Sequence, residues 1–153
     1  QPYYDQFFGA DQAEGQKIYS IYSMISSILQ GCAEDEFQQA VFANPDLTLE
    51  EVNELHSEIF YQFTGSELYY EWVEIHHHFE TPFYYVSYAT SAISALEIWA
   101  QSLDDRNQAL STYNQITQFT TNFKYRDALT SSGLKDPFTS DCVSEIAEKV
   151  KGL

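Results

Sequence analysis

The chain has 153 residues, 44% of them hydrophobic, the size of one domain with enough apolar material for a core, which excludes a disordered tail. Its formal net charge of −16 is unevenly placed: between Lys17 and Arg106 there is no Lys or Arg, while Glu34, Asp35, Glu36, Glu50, Glu51, Glu67 and further carboxylates crowd the same stretch. Such a surface repels phosphate backbones and anionic headgroups, so no nucleic acid and no membrane is expected as a partner; a solvated acidic face, or one that meets a basic partner or a cationic peptide, remains.

The apolar periodicity is helical throughout. Ile18, Ile21, Tyr22, Ile25, Ile28 and Leu29 recur at helix spacing, and Gly31 is read as the stop. A second short helix is predicted from Glu34 to Ala43, broken by Asn44-Pro45-Asp46. Thr48-Leu49-Glu50-Glu51 reads as a capping box that opens a helix to about Phe63, with Gly65 at its end. Residues 64–81 are the least regular part, with a turn near Trp72. Thr81-Pro82 carries two start signals, an N-cap hydroxyl and a proline at the first helical position, for a helix to about Leu103. Its small-residue run Ala89-Thr90-Ser91-Ala92-Ile93-Ser94-Ala95 is expected at the centre of a bundle. Asp104-Asp105 caps the next helix, to about Phe119. Another spans Phe123 to Ser132 with Gly133 as its stop, and a last one runs from about Ser140 to Lys151. No segment alternates with a two-residue period, so the predicted class is all-α, a single multi-helix bundle over residues 1–153.

Cys32 and Cys142 lie far apart with no CxxC companion, which excludes a disulfide scaffold and a thiolate zinc site and fits a cytoplasmic protein with reduced thiols. No signal peptide is seen, and no apolar run reaches the ~18 residues of a membrane span. The chain opens on Gln1 rather than Met, which suggests a processed or excised piece.

The chemistry concentrates in residues 76–99. His76, His77 and His78 are adjacent, so on a regular element they point in different directions and do not share one metal. No H-E-x-x-H occurs, and His56 begins His-Ser-Glu-Ile-Phe. For His76 and His78 the plainer reading is a solvated or supporting histidine. Tyr84, Tyr85 and Tyr88 follow Pro82. Such a cluster is more often core, but three phenols beside a histidine each need a partner if buried, and a cleft lined with them binds peptide backbone and polarises a carbonyl. Nothing marks a serine or cysteine nucleophile, and no glycine-rich phosphate loop is present.

These residues carry a resemblance. Tyr4-Asp5-Gln6-Phe7-Phe8-Gly9, then Asp35-Glu36-Phe37-Gln38 with Asn44-Pro45 and Leu47-Thr48, then Trp72 and His77-His78-Phe79-Glu80-Thr81-Pro82-Phe83-Tyr84-Tyr85-Val86-Ser87-Tyr88, then Gly133 to Phe138, resemble in order and spacing the C-terminal part of zinc oligoendopeptidases of the oligoendopeptidase F type, in the thimet-oligopeptidase-like group. The resemblance implies a helical subdomain lining the cleft of an oligopeptide-hydrolysing metallopeptidase. The family's cleft histidine falls on His77 and its oxyanion tyrosine on Tyr85, with Tyr84 the neighbouring candidate; Tyr84 and Tyr88 become flanking substrate contacts. Zinc is implied for the parent enzyme, through a motif that would lie before Gln1, and none for this chain, which is then expected to be inactive alone. The implied partners are an oligopeptide substrate and the remainder of the peptidase. The family often has Asp where Ser87 stands, His where Gln39 stands, and a Gly-Gly-Ser turn where Thr120-Thr121-Asn122 stands. Two other functions compete: a non-catalytic helical peptide-binding module that has lost the metal half, and an acidic structural or interaction protein.

Overall fold

The structure, a computed structural model, describes residues 3–66 and 71–152. Every regular element is helical: α1 (Tyr4–Phe8), α2 (Ala10–Ala43), α3 (Leu49–Thr64), a 3₁₀ turn (Glu71–Glu74), α4 (His77–Glu80), α5 (Val86–Asp104), α6 (Arg106–Ile116), α7 (Tyr125–Ser131) and α8 (Ser140–Lys151). No strand occurs among the described residues, and the all-α expectation is met. The expected turn near Trp72 is the 3₁₀ turn; residues 67–70 of the predicted irregular stretch, and Glu67 of the acidic set, lie outside the described residues. None of the described helices is long and apolar enough to cross a membrane.

Two compact units divide the chain, one of Ile25–Ala89 and one of Gln1–Met24 with Thr90–Leu153. In the first, α3 begins as the capping box requires: Thr48 Oγ1 accepts from the Glu51 N–H, and the Glu51 carboxylate accepts from the Thr48 N–H at 2.7 Å. Gly65, at φ 70°, ends the helix in the left-handed conformation that glycine adopts at no steric cost. The core joins Ala33 and Phe37 of α2 to Val52, Ile59 and Phe60 of α3. Trp72 covers its edge and donates its indole N–H to the buried Asn53 side chain at 2.9 Å, so neither polar group is left unsatisfied. Burial of a side chain such as Phe37, 3% exposed, contributes about 1.5–3 kcal/mol.

The helix after Asp105 ends at Ile116 rather than about Phe119 and the next begins at Tyr125 rather than Phe123, and two further boundaries differ from the sequence reading more deeply. Gly31 does not stop a helix; α2 runs through it for 34 residues. One interior glycine costs about 1 kcal/mol relative to alanine, too little to break a helix that buries Ala33, Glu34, Phe37 and Gln38 just beyond it. The glycine serves close approach instead: a Cβ built on Gly31 would stand 2.8 Å from the Ala89 Cβ and 2.9 Å from the Ala89 nitrogen. Thr81-Pro82, likewise, does not open α5. The one-turn helix α4 ends at Thr81, and Pro82 enters a turn closed by the Tyr84 N–H donating to the Thr81 carbonyl at 3.1 Å. The second central residue of that turn, Phe83, has φ 64°, and α5 starts only at Val86.

In the other unit, Asp105 caps α6 by accepting from the Asn107 and Gln108 N–H groups. Gly133, at φ 85°, closes α7 in a Schellman arrangement: its N–H donates to Thr130 O, and Leu134 N–H donates to Leu129 O. Leu129 and Leu134, 1% and 4% exposed, supply the apolar contact that accompanies this cap. Of the predicted small-residue run, Ala89, Thr90, Ala92, Ile93 and Ser94 are buried, and Ser91 and Ala95 are exposed. All seven Lys and Arg of the chain belong to this unit, where Lys149 pairs with Asp104 at 2.7 Å, Lys135 with Glu145 and Arg126 with Asp136.

The Gly31–Ala89 contact fixes the sign of one substitution. On an exposed helix Gly31→Ala would stabilise by about 1 kcal/mol; here the new methyl meets backbone, and a loss of about 1–3 kcal/mol is expected, read as a lower midpoint in thermal unfolding followed by circular dichroism. A raised midpoint would show that the close approach is not present.

Candidate functional site

The residues of the histidine–tyrosine stretch converge in the Ile25–Ala89 unit. α4 is a single turn, so His77 and His78 point to different sides of it. His77 is half-buried and faces the tyrosines; its Nε2 lies 3.3 Å from the Tyr88 hydroxyl. Either the phenol donates to a neutral ring nitrogen or the ring N–H donates to the phenol oxygen, according to tautomer. The His77 ring stands 5.0 Å from that of Tyr84 and 5.9 Å from those of Tyr85 and Tyr88. Tyr84 and Tyr88 meet edge to face at 5.6 Å, and Tyr85 and Tyr88 are 5.1 Å apart. All four sequence-proposed site residues are therefore brought together. Helix spacing is not the cause for Tyr84 and Tyr85, which precede α5; the turn at Pro82-Phe83 delivers them.

That turn is held from α2. Gln38 Oε1 accepts the Phe83 N–H at 2.8 Å, and the Phe83 ring packs on Phe42 at 5.1 Å. Phe83 is the one non-glycine residue with positive φ among the described residues, a backbone state costing on the order of 1 kcal/mol or more, which persists only where the surroundings impose it.

The cluster is not a core. Tyr84 is 44% exposed and Tyr88 42%, and Tyr85 is intermediate. Two of the tyrosines are thus half-exposed on a packed aromatic base. Burial pushes the Tyr85 phenol up, with smaller contributions in the same direction from the Glu34 charge and from Tyr88, so it stays protonated and able to donate at neutral pH.

Beneath lies a group that sequence reasoning missed. Glu34 of α2 is 1% exposed and faces two buried histidines: His78 Nε2 is 3.0 Å from its Oε2, and His56 Nε2 of α3 is 3.8 Å from its Oε1. These are ion-pair separations rather than well-aligned hydrogen bonds. Burial alone would raise the Glu34 carboxyl; the polar approach of the His56 and His78 ring nitrogens together outweighs burial and holds it below the usual carboxylate range. Phe37 seals the trio, its ring 4.8 Å from His56 and 5.7 Å from His78. A signal did exist in the sequence. His56 falls on the same face of its helix as Val52, Asn53, Ile59 and Phe60, and Glu34 falls beside Ala33 and Phe37. Two titratable groups on apolar faces of neighbouring helices need each other as partners. His76, in contrast, is exposed.

No group of three or more His, Cys, Asp or Glu side chains among the described residues is arranged to hold a metal ion. The buried His56 and His78 each turn Nε2 to the Glu34 carboxylate, which takes up the nitrogens a metal would need, so these residues do not fit a zinc site. The two cysteines are unbridged, and Cys142, buried beside Glu97, has its thiol pushed up to about 12, first by burial and then by the Glu97 charge, which leaves it unsuited to nucleophilic work.

No family model and no curated protein matches the sequence. Two solved structures share the fold. An oligoendopeptidase F matches 99% of this chain at a TM-score of 0.86 and 23% identity, and PZ peptidase A, solved with an inhibitor, matches 99% at 0.87 and 24%. In each case the chain spans 28% of the neighbour's length.

The low folded-state pKa of Glu34 sets a direction for stability. Because the carboxyl is depressed on folding, its contribution is present above the ordinary carboxylate range and is lost as pH falls through the folded value. Thermal midpoints should therefore decline as pH falls below about 5, into the range under the ordinary carboxylate value, and less steeply in Glu34→Gln than in the parent chain. Equal acid slopes would show that Glu34 carries no such stabilisation.

Proposed function

We propose that this chain is the cleft-lining portion of a cytoplasmic oligopeptide-hydrolysing metalloendopeptidase, one helical domain supplying the transition-state wall opposite the metal. The observation that carries the reading is the half-exposed cluster in which the rings of one histidine and three tyrosines pack together, with the Tyr88 hydroxyl 3.3 Å from His77 Nε2. Support comes from the shared fold of the two peptidases and from the motif order of the sequence. Zinc belongs to the parent enzyme in this reading, held by residues outside this sequence.

The chemistry assigned to this chain is hydrogen-bond donation. As water adds to a peptide carbonyl, charge gathers on the oxygen, and donors fixed beforehand at that place lower the barrier without having to reorganise. Tyr85, partly buried and protonated, is the donor to that oxygen. His77, oriented by Tyr88, hydrogen-bonds the substrate backbone beside it. Tyr84 and Tyr88 supply ring faces and hydroxyls that hold the extended peptide. The lack of Lys and Arg from Ile18 to Asp105 leaves this wall acidic and attractive to cationic peptides.

The test is made in the longer reading frame, with a quenched fluorescent oligopeptide as substrate. Tyr85→Phe should lower kcat by about 10²–10³ with little change in KM, as loss of one oxyanion donor does. His77→Ala should lower kcat/KM, and the 153-residue chain alone should show no chelator-sensitive turnover. Unchanged kcat in both variants would sink the proposal. An upstream frame with no H-E-x-x-H would favour a peptide-binding module instead.

A further inference from the structure

The proposed wall uses His77 and the tyrosines, yet the most costly electrostatic feature of the unit is the carboxylate buried behind them. We infer that Glu34 is a positioning residue for this wall, holding α4 through His78 and, through the His78 ring, the place of Tyr85 beside it. The inference rests on the proposed function for its catalytic meaning, though the physical linkage stands on geometry alone.

Glu34 touches no solvent and so no substrate. Its Oε2 lies 3.0 Å from His78 Nε2, and His78 is the residue after His77 in a helix only four residues long. Fixing His78 therefore fixes the rotation of α4 and with it the direction of His77. The His78 ring in turn meets the Tyr85 ring edge-on at 6.1 Å. One turn along α2, Gln38 donates from Nε2 to the Glu34 carbonyl and accepts the Phe83 N–H through Oε1. The face of α2 that carries the carboxylate thus also carries the support of the turn before Tyr84 and Tyr85. The groups that face the carboxylate are His56 from α3 and His78 from α4; Tyr85, ahead of α5, faces His78, His77 and Tyr88. No Lys or Arg occurs between Ile25 and Ala89. Burial is the larger reason the Tyr85 phenol is pushed up, and the Glu34 charge, with no Lys or Arg in the unit to offset it, adds to it in the same direction.

A role limited to packing would leave the ionisation of Tyr85 unaltered, so that ionisation is the discriminating readout. In the 153-residue chain, carbon NMR of the tyrosine rings, with Tyr85 assigned by Tyr85→Phe, should place its midpoint above the ordinary value of about 10. In folded Glu34→Gln the midpoint should move down. In the longer protein, Glu34→Gln should lower kcat about tenfold with KM within about twofold, and the fall in rate at high pH should set in earlier. Glu34→Asp, which keeps the charge, should keep the high-pH limb near the parent's. A folded Glu34→Gln with unchanged Tyr85 midpoint and unchanged kcat overturns the inference. Should Glu34→Gln not fold, a Tyr85 midpoint at or below about 10 in the unsubstituted chain overturns it equally. Failure of the proposed function is separable: Tyr85→Phe without effect on kcat rejects the peptidase role, while the NMR titration still measures the hold of Glu34 on Tyr85.

Discussion

A carboxylate that has lost its water must find compensation nearby, and the compensation for Glu34 organises the unit around it. Taking an ion out of water costs several kcal/mol even after the protein relaxes, so the partners must be close and fixed. The unit has no Lys or Arg to offer, which leaves histidine as its only cationic side chain. Two histidines supply the need from two different helices, α3 and α4.

The same reasoning explains why α2 is long and unbroken. Gly31, Glu34, Gln38 and Phe42 lie at helical spacings of three and four, on one face. Each meets a different part of the segment that follows the 3₁₀ turn. Gly31 admits the backbone at Ala89, Glu34 holds His78, Gln38 holds the Phe83 N–H, and Phe42 packs on the Phe83 ring. A helix ending at Gly31 would have split this face. The short elements between Ile75 and Val86 have few internal hydrogen bonds with which to define themselves; the rigid face of α2 defines them.

How much of this was legible in the sequence depends on how local the cause was. The capping box at Thr48, the aspartate cap at Asp105 and the glycine stops at 65 and 133 are decided within a few residues, and each was read correctly. The class was legible because period 3.6 runs through most of the chain. Gly31 was misread because its role is set by Ala89, distant in sequence, and the local rule for glycine gives no sign of such a neighbour. Thr81-Pro82 was misread for the opposite reason: a proline after a threonine starts helices and turns alike, and α4, immediately before it, decided for the turn. At the candidate site, His77 and the tyrosines were legible through order and spacing. Glu34 and His56 were passed over because each alone looks like an ordinary helix residue, and only their shared burial makes them a pair.

The charge distribution has a practical outcome for handling the molecule. Trypsin cleaves after Lys and Arg, and it finds no bond to cut between Lys17 and Arg106. Digestion of the unfolded chain therefore delivers Ile18–Arg106 as one peptide. That peptide contains the whole Ile25–Ala89 unit, with Glu34, His56, the histidine run and the tyrosines all on it. The unit can be excised by a common protease without recloning, and its capacity to refold alone becomes a question for the bench.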